Sequence, residues 1–170
     1  MRFLAPIAMA AVFSAMPAFA EDAAALRVLG FKYYDGRGVK QDTQRAVALF
    51  EQAGEAGDLK AQSDLAFMYE TGVSVAPDHA KSAYWAKKAA QRWDRSSQLR
   101  LAILLYLGRG VEKDRVEAAK WWRIALSPGG SWAQHARPTA ELGEAKMTAE
   151  ELGEAQRRAD AWLAAHPIPR

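Results

Sequence analysis

LAILLYLGRGVEKDRVEAAKWWRIAL, residues 101–126, decides the fold. An apolar run at helical spacing leads into Gly108-Arg109-Gly110, and a second periodic run follows Asp114. The pattern predicts a helix, a glycine-bracketed turn and a second helix that packs back on the first. The chain writes this unit three times. Val39, Val75 and Val111 each follow a turn and stand 36 residues apart. Asp42, Asp78 and Asp114 keep that spacing, as do Gly36, Gly72 and Gly108, and Ala53, Ala89 and Ala125. Leu29, Leu65 and Leu101 agree with them. A fixed period between about 20 and 50 residues marks a stacked array of repeats.

Inside each unit the apolar residues define what must be buried. Leu29 and Tyr33 lie four apart in the first helix of unit one, and Ala46, Leu49, Phe50 and Ala53 stripe its second. Leu65/Tyr69 with Trp85/Ala89, and Leu101/Leu105 with Trp121/Ala125, repeat the arrangement. Neither helix can bury its stripe alone, so each hairpin must pack on the next. Burial of each large side chain contributes roughly 1.5–3 kcal/mol, so contacts between neighbours hold the array together. The three aspartates precede second helices, where a carboxylate caps free N–H groups and complements the helix dipole. A catalytic role would not require one at every period; capping does.

Leu29-Gly30, Tyr33, Gly36, Gly38, Val39, Asp42 and Ala46 together spell a pattern that resembles the Sel1-like repeat, a relative of the tetratricopeptide repeat. The resemblance covers about residues 25–130, in units of about 25–60, 61–96 and 97–130. It implies an all-α, right-handed solenoid of helix-turn-helix repeats. Departures are local: Ser74 replaces a turn glycine, Ser82 the helix alanine and Leu105 the tyrosine. Trp93 stands where Gly57 and Gly129 do, which implies a differently closed joint and a packing role for the ring, with a partner contact as the alternative. After Gly130 the register fails, with Arg137 where leucine is due and Glu144 where glycine is due. Terminal repeats are commonly atypical because one side faces water. Thr148 and Glu151 form a capping box. Residues 131–170 are therefore expected to be a degenerate capping pair: one helix over 131–146, disturbed near Pro138, and another over 149–165.

Residues 1–20 read as a cleaved secretory signal peptide. Arg2 gives the positive start, an uncharged apolar run extends to Met16, and Ala18-Phe19-Ala20 is a small-x-small cleavage site. The apolar run is short for a span of about 20 residues and is broken by Pro6 and Pro17, which disfavours an uncleaved anchor. Periplasmic or secreted localisation follows, with Glu21 as the mature start. Removing Arg2 takes Lys+Arg from 23 to 22 against 20 acidic residues, too balanced for a nucleic-acid partner. Lys81, Lys87, Lys88, Arg92, Arg95 and Arg100 have only Asp94 as a local countercharge, and read as a solvated helix face rather than a polyanion site. With no cysteine, lipid anchoring and thiol chemistry are excluded and the core must hold the fold without disulfides.

No catalytic constellation is legible. There is no His-Glu-x-x-His, and His79, His135 and His166 lie in separate segments. No serine is followed three residues later by lysine, and neither a Gly-x-Ser-x-Gly nor a P-loop occurs. Some cysteine-rich secreted relatives have been linked to penicillin binding or hydrolysis, so the resemblance implies an envelope hydrolase as the alternative function. This chain lacks their cysteines. The leading expectation is a non-catalytic, monomeric adaptor or regulator without metal or cofactor, touching the membrane only through a protein or peptide partner of the envelope. By analogy with tetratricopeptide grooves, the inward positions are Arg27, Phe31 and Tyr34, then Ser63, Phe67 and Glu70, then Leu99, Ile103 and Tyr106. The alternative is that these are core residues of short helices.

Overall fold

The computed structural model describes residues 16–168. Eight helices and no strand occur among them: α1 (Met16–Asp35), α2 (Thr43–Glu55), α3 (Leu59–Thr71), α4 (His79–Ala90), α5 (Arg95–Leu107), α6 (Arg115–Leu126), α7 (Gly130–Glu144) and α8 (Ala149–Ala165). The first fifteen residues of the expected signal peptide lie outside the described ones, and its last five begin α1. The chain is an all-α repeat solenoid. Helices α1 and α2, α3 and α4, and α5 and α6 form hairpins, and α2 packs on α3 as α4 packs on α5.

The caps explain where each helix starts. Asp42, Asp78 and Asp114 accept from the amides of Arg45, Lys81 and Glu117 at 2.9, 3.0 and 2.8 Å. A second aspartate series does the same for first helices. Asp58 caps α3 through the Ala61 amide and Asp94 caps α5 through Ser97, both at 2.7 Å. The same two carboxylates fasten one repeat to the previous one. Arg27 Nε donates to Asp58 Oδ1 and Ser63 Oγ to Asp94 Oδ1, at 3.1 and 3.0 Å. Buried Gln62 and Gln98 add a matching pair of clamps, donating to the carbonyls of Gly54 and Ala90 at 2.8 and 3.0 Å.

The core follows the repeat stripe, with one correction. Leu65 and Leu101 are buried, but Leu29 is 38% exposed. The described residues place no second helix ahead of α1, so the face that α2 gives Leu65 has no counterpart at Leu29. Trp85 packs over α2 so closely that a Cβ at Gly54 would lie 2.8 Å from its ring.

The Trp93 joint is also corrected. It is not closed differently: Gly57, Trp93 and Gly129 all have positive φ, at 95°, 67° and 66°. The amides of Asp58 and Asp94 reach back to the equivalent carbonyls of Ala53 and Ala89. A left-handed conformation costs a side-chain-bearing residue about 1–2 kcal/mol. Edge-on packing of the Trp93 ring against Trp162 of α8, 4.9 Å between centroids, offsets that strain.

Two helices occupy the terminal segment, and α7 runs through Pro138 rather than being disturbed there. They are not a hairpin. Helix α8 packs along α6, whereas α7 packs on α6 less extensively and scarcely meets α8. Glu151 at the start of α8 lines one cavity with Asp114, Arg115 and Val116 at the start of α6, and Trp162 near its end meets Trp121. The two helices therefore run in the same direction. Arg158–Glu117 at 3.6 Å and Arg123 Nε to Gln156 Oε1 at 2.9 Å tie them laterally.

Candidate functional site

The nine expected groove positions divide by repeat and by chemistry. The aromatic residues of the first two rungs come together. Phe31 and Tyr34 of α1 and Phe67 of α3 line a cleft with Phe50, Asp64, Met68 and Val73, enclosing about 190 Å³. Phe31 is 39% exposed and Phe67 47% exposed, large values for rings at helical core spacing. Phe50 and Met68 are buried beneath them, and Phe31 meets Phe50 edge-on with ring centroids 4.9 Å apart. The Tyr34 hydroxyl is 3.3 Å from Ser74 Oγ, across the end of the cleft.

The polar groove positions have other work. Arg27 and Ser63 hold the caps of the next repeat, as described. Glu70 is ion-paired with Arg100 of α5, whose guanidinium lies 5.4 Å from the centre of the Phe67 ring. The third rung is less open than the first two. Leu99 and Ile103 are half-buried against the core, and Tyr106 packs on Trp122 with centroids 5.5 Å apart.

Asp64 was not among the expected site residues, and it is the one carboxylate lining the cleft. Burial holds its pKa above the ordinary aspartate range. Arg27 opposes that shift, Asp58 and Asp94 reinforce it, and Lys60 opposes it weakly. Because the folded-state pKa is raised above the unfolded one, the charged form disfavours the fold. That cost is fully present above the folded pKa and disappears as pH falls below the unfolded one. Asp64→Asn is accordingly expected to raise the melting temperature at pH 7. The gain should vanish near pH 3, below the ordinary aspartate value of about 3.9. Thermal melts of both proteins across this range check it. An equal gain at both ends would mean the effect is not the charge.

Two absences hold among the described residues. No group of three or more His, Cys, Asp or Glu residues could hold a metal ion. No helix is long and apolar enough to cross a membrane. The cationic cluster from Lys81 to Arg100 disperses into links with the preceding repeat. Lys81 reaches Glu51 at 3.2 Å, Lys88 reaches Glu55 at 2.5 Å, Arg92 donates to the Gly57 carbonyl and Arg100 pairs with Glu70.

Comparison with known proteins gives the arrangement a family. The Sel1 repeat family model matches residues 23–58, 59–92 and 95–127. A Sel1 repeat protein from Oxalobacter formigenes, solved by crystallography, is 30% identical. It superposes with a TM-score of 0.61 over 73% of this chain and 95% of its own. A protective antigen of uropathogenic Escherichia coli with an SLR fold shares the fold at 21% identity and a TM-score of 0.55. That match covers 88% of this chain and 40% of the antigen. No curated protein matches. Sel1 repeat proteins generally mediate protein–protein interaction and are typically non-enzymatic. With three matched repeats spanning more than half its length, the chain belongs to the Sel1 repeat family.

Proposed function

We propose that this protein is a non-catalytic interaction adaptor or regulator of the cell envelope. It binds a segment of a protein partner along its first helices, and its docking point is the cleft between α1 and α3. The observation that carries this reading is the exposure of Phe31 and Phe67. They occupy the same repeat position on successive first helices, where a fold-only role would bury them. Aromatic residues at a rigid, concave surface are the usual carriers of binding energy.

Export rests on the leader-like residues 1–20 and on the cap series. Asp22, Asp58 and Asp94 stand at the same 36-residue spacing, and Asp58 and Asp94 cap α3 and α5. Cleavage after Ala20 would free Asp22 to cap the first helix in the same way. Two measurements test the proposal. Mass spectrometry of the exported protein is expected to find Glu21 at the N-terminus; retention of Met1 would remove the envelope assignment. Capture from an envelope extract is then compared between the wild-type chain and a Phe31→Ala/Phe67→Ala variant. A partner retained by the wild type and lost by the folded variant is expected. Equal retention by both would move the docking face elsewhere.

A further inference from the structure

We propose that the cleft between α1 and α3 is a receptor for one cationic side chain, a lysine or arginine of the bound segment, seated on Phe31 and Phe67 with its charge on Asp64. The inference rests on the proposed docking role of this cleft and adds what it selects.

Size comes first. Small-molecule sites usually enclose about 300–1,000 Å³. At about 190 Å³ this cleft is smaller, and suits a single side chain. Its walls are aromatic and aliphatic, with Asp64 as the only ionisable carboxyl among them. Asp64 accepts no hydrogen bond and joins no ion pair among the described residues. The charged groups facing it are otherwise engaged or are themselves acidic. Arg27 of α1 is bonded to both oxygens of Asp58, and Asp94 at the start of α5 accepts from Ser63 and Ser96. Lys60, in the first turn of α3, acts on Asp64 only through space.

The fold does not ask for a carboxylate there. The same repeat position is Val28 in α1 and Arg100 in α5. Arg100 also shows what the neighbouring step does with that position. Its guanidinium rests on Phe67 and is paired with Glu70, so aromatic ring, cation and carboxylate are all supplied from within the chain. One step earlier the ring is Phe31, Asp64 stands at the position of Arg100 and Tyr34 at that of Glu70, and the nearest cation, Arg27, is bonded to Asp58. A guanidinium or ammonium gains from an aromatic face and a carboxylate together, most strongly where water is partly excluded.

The test uses the full chain and blocked pentapeptides, acetyl-Ala-Ala-X-Ala-Ala-amide, with X arginine, lysine, norleucine or glutamate. Affinity is read from NMR titration, with the amides of Phe31, Asp64 and Phe67 as reporters. The arginine and lysine peptides are expected to bind at least about ten-fold more tightly than the norleucine one, a difference of about 1.4 kcal/mol. Glutamate should be rejected. Asp64→Asn, which the fold tolerates by the stability argument above, should erase the cationic preference and leave norleucine binding unchanged. Lowering the pH until Asp64 is protonated should do the same in the wild-type chain. Equal affinity for arginine and norleucine, no binding of the cationic peptides, or a preference that survives Asp64→Asn overturns the proposal. Failure of the docking reading looks different: the peptides would bind as described while Phe31→Ala/Phe67→Ala left partner capture intact.

Discussion

Trp122→Ala is expected to lower stability by about 3–5 kcal/mol, the usual cost of truncating a fully buried aromatic side chain. At about 2–4 °C per kcal/mol for a chain of this size, the melting temperature should fall by roughly 6–20 °C. Trp122 is 2% exposed and stands where three helices meet. It belongs to α6, packs on Tyr106 of α5, and lies so near α7 that a Cβ at Gly143 would fall 2.1 Å from its ring. Its indole N–H is buried and has no acceptor among the described residues. Gly143→Ala provides the complementary disturbance, since the new methyl group and the rigid ring cannot both keep their places. Denaturant unfolding of both variants measures the effect. A loss below about 1 kcal/mol for Trp122→Ala would mean that α5, α6 and α7 collapse onto the vacated space, and that the wedge does not set their positions.

The first six helices were legible because one physical device recurs at one period. A helix must begin at a cap, bury a stripe and leave through a turn, and each requirement leaves a residue 36 positions from its equivalent. The placement of α7 was not legible, because it depends on contacts between repeats. Arg27–Asp58 and Ser63–Asp94 recur across two joints, but the next pair is Leu99 and Gly130, which have no charge or hydroxyl to join. Gln134 stands 36 residues after Gln98, yet it is exposed instead of clamping a carbonyl. Arg137 occupies the position of buried Leu65 and Leu101 and is itself exposed, since an unpaired guanidinium resists burial. With clamp and core leucine both missing, α7 meets α6 less extensively, through Gly143 on Trp122 and Glu144 on Arg123, and α8 takes the flank of α6.

The same limit applies to charge. Counting neighbours along the chain leaves Lys81, Lys88 and Arg100 without partners. Their carboxylates, Glu51, Glu55 and Glu70, lie about 30 residues upstream on the preceding hairpin. Asp64 could have been noticed by comparing repeat positions, where valine, aspartate and arginine alternate at 28, 64 and 100. Its half-buried setting could not, because that depends on how α1 and α3 come together around Phe50. Periodicity likewise cannot separate a core phenylalanine from one in a groove. Leu65 and Phe67 are both apolar members of α3, and only packing tells them apart.

That distinction yields the second large expected effect. Leu65→Ala should cost about 2–5 kcal/mol, because Leu65 is fully buried and its Cδ1 packs tightly enough to lie 3.2 Å from a Cβ built at Gly54. Removing it opens a cavity between α2, α3 and α4. Phe67→Ala should cost much less, since nearly half of that ring faces solvent and the contacts it loses are the partial ones with Arg100 and the cleft wall. Its effect belongs in binding, where truncating an aromatic anchor typically costs about 2 kcal/mol or more. Partner affinity would then fall about thirty-fold or more, at roughly 1.4 kcal/mol per factor of ten. Melting and partner binding measured on both variants separate the roles. Unfolding by Phe67→Ala as severe as by Leu65→Ala would make Phe67 a core residue. A normal melt with undiminished partner binding would leave the fold account standing and transfer the search for the partner to the second helices. These carry Tyr84, exposed and bonded through its hydroxyl to Glu55.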